Sequence, residues 1–184
     1  MSGKRHVALI RGINVGGRNR VSMSDLAQAF ESGGYCAVRT HIQSGNVLFE
    51  SDVPRASLEA ELEGMLERTL GLRLVVVVRS HVQLRRIVDE APDGFGTEPD
   101  RYHSDAVFLK DPLSSASAMR VVEVRDGVDR AWPGTGVIYF ARLSARRTQS
   151  RMSRIMGTPE YQRMTIRSWT TTTKLLGLLD ERLG

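Results

Sequence analysis

The stretch Val7-Ala8-Leu9-Ile10-Arg11-Gly12-Ile13-Asn14-Val15-Gly16-Gly17-Arg18-Asn19-Arg20 reads as an apolar strand running into a glycine-rich turn. A helix signal follows at once. Ser22 with Asp25 resembles a capping box, and Met23, Leu26, Ala27 and Phe30 repeat at helical spacing. Gly33-Gly34 stops that helix. From Ala37 to Gln43 the pattern switches to alternation, with Val38, Thr40 and Ile42 on one face and Arg39, His41 and Gln43 on the other. Ser44-Gly45 turns the chain, and Asn46 to Glu50 returns as a hairpin partner. Ser57 is expected to cap a second helix bearing Leu58, Leu62, Met65 and Leu66, closed by Gly71. Leu74 to Val78 is an unbroken apolar run, which predicts a central, buried strand. Ser80 caps a third helix carrying Leu84, Ile87 and Val88, ended by Pro92.

This order is β-α-β-β-α-β with an added helix, a ferredoxin-like arrangement. Residues 92–101, rich in proline, glycine and acids, read as a linker. The second half repeats the order less clearly. Strands are expected at Asp105 to Leu109, Val121 to Val124, Asp129 to Trp132, Val137 to Leu143 and Met164 to Arg167. A short helix is expected within Pro112 to Met119, another at Met152 to Met156, and a leucine-rich one from Thr170 to Leu183. Pro133-Gly134-Thr135-Gly136 is read as a turn. The expected fold class is α+β: two ferredoxin-like (βαββαβ) halves packed together, residues 1–92 and 101–184. Element order alone suggests a duplication; no sequence repeat proves it.

The 184 residues are 41% hydrophobic, enough for a sizeable core. No long uncharged apolar run is present, so no membrane span or signal peptide is expected, and the cytoplasm is the default location. A single cysteine, Cys36, excludes an internal disulfide framework and is read as a small buried hydrophobe. His6, His41, His81 and His103 show no metal-ligand spacing. Neither metal nor cofactor is expected. Glu59 and Glu63 are read as lying on a solvated helix face.

The net charge is +5, unevenly distributed. Residues 1–24 hold Lys4, Arg5, Arg11, Arg18 and Arg20 and no acid, a net of +5. Residues 142–174 carry a net of +7, and the intervening 25–141 a net of −6. Brought together, the two basic segments would make one positive face attractive to phosphates. Because only Lys4, Lys110 and Lys174 are lysines, the positive charge is almost all arginine. Arginine favours bidentate contacts with phosphate, although arginine-rich solvated surface gives the same composition.

Gly12 and Gly17 have the spacing of a Walker A loop, but Arg18 and Asn19 replace its lysine and its hydroxyl residue. An NTPase is therefore not favoured. Two readings of the turn stay open: a tight turn that needs glycine backbone angles, or a cradle of backbone N–H groups that holds an anion. Gln43-Ser44-Gly45-Asn46 offers amides to a ligand, while Ser44 lacks the strand-to-helix elbow of a nucleophile. Near the C-terminus, Arg167 and Trp169 flank Ser168 just before the last helix, where an anion or a base could be held.

On these segments the chain resembles the family catalogued as domain of unknown function 1697. The resemblance rests on Val7 to Gly17, Met23 with Leu26, and Arg39 to Val47. It extends to Ser153-Arg154 and to Thr165, Arg167, Trp169, Thr171, Lys174 and Leu175, nearly the whole chain. The family pattern has asparagine where Ser168 stands. The resemblance implies an α+β fold with ferredoxin-like halves, and it implies no reaction or ligand.

The leading expectation is a soluble protein binding a phosphate-bearing partner, nucleic acid or a phosphorylated small molecule. Its ligand set is Arg11, Asn14, Gly16, Gly17, Arg18, Gln43, Ser44, Asn46, Arg154, Arg167, Trp169 and Lys174, with Arg20 and Arg151 adding charge. The alternatives are a small enzyme acting on an anionic metabolite in a cleft between the halves, or an interaction module with no ligand.

Overall fold

The computed structural model describes residues 4–42 and 44–181. The chain divides into two compact units, residues 1–84 with 175–184, and residues 85–174.

The first unit contains β1 (Lys4–Arg11), α1 (Met23–Ser32), β2 (Cys36–His41), β3 (Asn46–Ser51), α2 (Arg55–Leu70) and β4 (Val75–Ser80). The next element, α3 (His81–Asp89), begins in it. Its sheet has the order β2-β3-β1-β4, antiparallel throughout, which is the ferredoxin-like arrangement. Val7 to Ile10 are buried to 1% exposure or less because β1 lies inside the sheet with both faces covered. Ala8, Ile10, Val47, Phe49, Val76 and Val78 pack from the sheet against Leu26 and Phe30 of α1 and Leu58, Leu62 and Leu66 of α2.

Local signals hold at several ends. Ser22 accepts the Asp25 N–H at α1. Ser80 and Gln83 close a reciprocal capping box at α3, at 3.2 and 2.9 Å. Other expectations are corrected. Pro54, not Ser57, occupies the N-cap of α2. The alternation through β2 breaks at a register shift between Cys36 and Arg39, where Ala37 has φ +49°. Cys36 itself is exposed.

The apolar run of β4 forms an edge strand, not a central one. Its open edge is sealed by α2. Glu63 accepts the Val76 N–H at 2.9 Å, and Glu59 accepts the Val78 N–H at 3.0 Å. Spaced i, i+4, these carboxylates lie on one helix face and so reach alternate N–H groups of one strand. Glu59 is buried at 7% exposure, with the Arg79 guanidinium 3.9 Å away, so this face of α2 is not the solvated one expected.

The second unit repeats the strand order. It contains β5 (Tyr102–Leu109), α4 (Ser115–Met119), β6 (Asp129–Gly134), β7 (Val137–Leu143), β8 (Met164–Ser168) and the start of α5 (Trp169–Asp180). The sheet order β6-β7-β5-β8 matches that of the first unit. Three short 3-10 segments between Ser144 and Arg163 stand where the second helix would be. Val121 to Val124 form no strand, and the β6–β7 hairpin turns at Thr135-Gly136 while Pro133 and Gly134 still pair with β7. α5 ends at Asp180; Leu183, where a longer helix was expected to stop, lies outside the described residues.

Residues 92–101 are more than a linker. Phe95 is buried and sits edge-on to Trp132, Tyr139 and Trp169, with centroids 4.9–5.9 Å away. Gly96 lies so close to the Trp169 indole that a Cβ there would overlap it.

Removing the Glu59 carboxylate leaves the Val78 N–H and a buried arginine without this acceptor. Glu59→Ala is expected to lower unfolding stability by about 3 kcal/mol. Glu59→Gln, which keeps an acceptor oxygen, is expected to cost less. Urea denaturation of the two variants checks this ordering, and equal losses would contradict it.

Candidate functional site

Two of the sequence-derived segments meet at one end of the first sheet. The Ile10 N–H donates to the Gly45 carbonyl at 2.8 Å, and Leu9 pairs with Asn46. Gly45 has φ +79°, and a Cβ there would lie 2.9 Å from both the Ile10 carbonyl oxygen and Ile13 Cδ1. The β2–β3 turn is thereby pressed against the end of β1. Asn46 is fully buried, and its amide donates to the His41 carbonyl at 3.0 Å and to Ser44 Oγ at 2.9 Å. Ser44 is exposed. Gln43 lies outside the described residues.

The glycine-rich segment is a small hairpin closed on itself. The Arg18 N–H donates to the Val15 carbonyl and the Asn14 N–H to the Asn19 carbonyl, each at 3.1 Å. Gly16 and Gly17 sit at φ +57° and +78°, the two left-handed positions of a type I′ turn. Asn14, at φ +55°, clamps the base: its amide donates to the Val21 carbonyl at 2.9 Å and accepts the Val21 N–H at 3.0 Å. The Asn19 amide donates to the Gly12 carbonyl at 2.9 Å. The glycines therefore shape a tight turn, and both asparagine side chains are bound within the loop.

What the hairpin displays is charge. Arg18 and Arg20 are exposed, as is Val15 at 68%. The Arg20 guanidinium lies over the turn, 4.0 Å from the position a Gly17 Cβ would take. Arg11 ends β1 at the base and is half-buried.

The remaining predicted residues belong to the second unit and are differently employed. Arg167 is buried at 8% exposure on β8, and its guanidinium donates to Thr165 Oγ1 and the Ile166 carbonyl, each at 2.9 Å. Burial brings its pKa down to about 10. Arg154 is exposed but ion-paired with Glu123, and Arg151 lies 3.9 Å from the same carboxylate. Trp169 packs against Phe95, and Lys174 is exposed on α5.

The second unit also holds a cavity of about 240 Å³ that sequence reading missed. It is lined by residues 93–98, part of the 92–101 segment whose composition reads as a linker. Among the described residues, no group of three or more His, Cys, Asp or Glu side chains is placed to hold a metal ion.

Two four-stranded antiparallel sheets of the same strand order define an α+β protein with two ferredoxin-like halves. The chain belongs to the DUF1697 family, described as proteins of unknown function, whose model matches residues 4–139. Arg154, Arg167, Trp169 and Lys174 lie beyond that match. No curated protein matches the chain. Among solved structures it is similar to the conserved bacterial protein SP0830 from Streptococcus pneumoniae. The two are 24% identical and share a TM-score of 0.81, over 96% of this chain and 98% of that one. The likeness establishes the fold.

The clamp can be tested directly. Asn14→Ala removes two hydrogen bonds and places alanine at a left-handed position, so a loss of about 2 kcal/mol is expected. Hydrogen exchange at the Val21 amide should accelerate more than exchange in β1. Unchanged Val21 protection would contradict the clamp.

Proposed function

We propose that this protein binds a phosphate-bearing ligand, nucleic acid or nucleotide, through the arginine hairpin of residues 11–20. The observation that carries this reading is the exposed type I′ hairpin with Arg18 and Arg20 on it, in a segment with no acid before Asp25. The hydrogen bonds that close the turn fix the backbone positions from which both arginines project, and planar guanidiniums suit phosphate oxygens.

The hairpin's own backbone bonds favour arginine contacts over an N–H cradle as the main source of binding. Asn14 is a positioning residue in this reading: it closes the base that keeps Arg18 and Arg20 together. Ser44 lies on the adjoining turn, where its hydroxyl can add a contact. Arg154 and Arg167 contribute less, because one is ion-paired and the other is buried among backbone and hydroxyl acceptors. Binding carried mostly by side-chain charge is electrostatic, so affinity should fall as salt rises.

Anisotropy of labelled single-stranded RNA, titrated at several salt concentrations, tests this. Neutralising one cation that engages a phosphate lowers the slope of log K against log salt by about 0.7 for single strands. Arg18→Gln/Arg20→Gln should therefore reduce the slope by about 1.4 and weaken binding at low salt by roughly tenfold or more. A double variant that matches the parent in affinity and slope would refute the proposal.

A further inference from the structure

The cavity in the second unit carries an inference independent of the arginine hairpin. Register explains why space exists there. Ser104 of β5 and Arg130 of β6 both pair with Ala141 of β7, so two small side chains stand side by side on one face of the sheet. Phe95 and Trp132 form aromatic walls above this floor, crossed at 85° with centroids 5.9 Å apart. A smaller space of about 100 Å³ shares Gly96, Tyr102 and Ser104 with it and is bordered by Trp169.

Two further features describe an occupant. The Ser104 hydroxyl is buried with no hydrogen-bond partner, although the residue lines both spaces. A buried hydroxyl in that state lowers stability until something bonds to it. The polar groups around the larger space have both signs: Asp93 and Glu98 are carboxylates, whereas Arg130 is held over the Tyr102 ring at 5.5 Å. A ligand of strong net charge would meet a like charge, while a neutral one with donors and acceptors on its rim would not. The volume is below the roughly 300 Å³ at which pockets for drug-sized ligands begin.

We propose that this cavity binds a small, neutral heteroaromatic ring of nucleobase size, one face stacked on either Phe95 or Trp132, its rim toward the other of these crossed rings and its polar edge bonded to Ser104. Flat π surfaces and one convergent hydroxyl suit such a ring better than they suit a flexible aliphatic ligand.

Both tryptophans of the chain border these spaces, so intrinsic fluorescence reports occupancy. The full chain is titrated with adenine, hypoxanthine, cytosine, uracil and nicotinamide, with cyclohexanol as a non-aromatic control, and heats are measured by calorimetry. At least one ring should saturate with a Kd below about 1 mM, and cyclohexanol should not. Ser104→Ala should weaken that ring roughly two- to tenfold while leaving the melting temperature unchanged or higher. Ala141→Leu should abolish binding by filling the floor; if that variant fails to fold, Ser104→Ala decides alone. Absence of saturation with every ring, or parental affinity in Ser104→Ala, would overturn the proposal.

Discussion

The backbone bond from Ile10 to Gly45 is the constraint on which the N-terminal site depends. It joins the end of the inner strand β1 to the turn between β2 and β3. Only glycine fits there, because the left-handed backbone and the 2.9 Å approach to Ile10 and Ile13 exclude a side chain. With that end fixed, the chain leaves β1 in one direction and must return to α1 across a short gap. The type I′ turn at Gly16-Gly17 and the Asn14–Val21 clamp make that return. Ile13 and Val21 anchor the base of this loop in the apolar core, and the exposed turn beyond them carries Arg18 and Arg20.

The two units solve one topology with different materials. In the first, α2 covers the sheet and also supplies Glu59 and Glu63 to the edge of β4. Strand edges are liabilities, and here two carboxylates on one helix face occupy N–H groups that would otherwise be open. The second unit has short 3-10 segments in place of that helix, and its apolar core draws on Met152 and Ile155 from them. Its other face is organised by aromatic side chains around Phe95. The small residues Ser104 and Ala141 leave that face incompletely filled, and the cavity proposed to take a ring lies there.

Much of the fold was legible because its signals are local. Ser22 and Ser80 mark helix starts through bonds made within three residues, and the hairpins carry glycine where left-handed backbone is needed. Properties set by distant partners were hidden. The valine run of β4 reports burial on both faces but says nothing about how many strands flank it. Glu59 looks solvated on a helical wheel, although its partner Val78 is 19 residues away. The composition of 92–101 suggests a linker and conceals the single aromatic that anchors it. Of the candidate site, the joining of the 12–20 and 44–46 turns follows from the β1–β3 pairing of the ferredoxin-like order and not from the residues of either turn. The burial of Arg167 does not, since a five-residue strand gives no sign of which side is covered.

The surface proposed to meet a phosphate-bearing ligand is the hairpin at residues 11–20. The most direct measurement is a titration of 15N-labelled protein with single-stranded RNA, followed by backbone amide chemical shifts. The largest shifts should cluster between Arg11 and Val21 and at the neighbouring Ser44-Gly45 turn, and they should fade as salt is added. Saturating shifts elsewhere, with residues 11–21 unmoved, would contradict it.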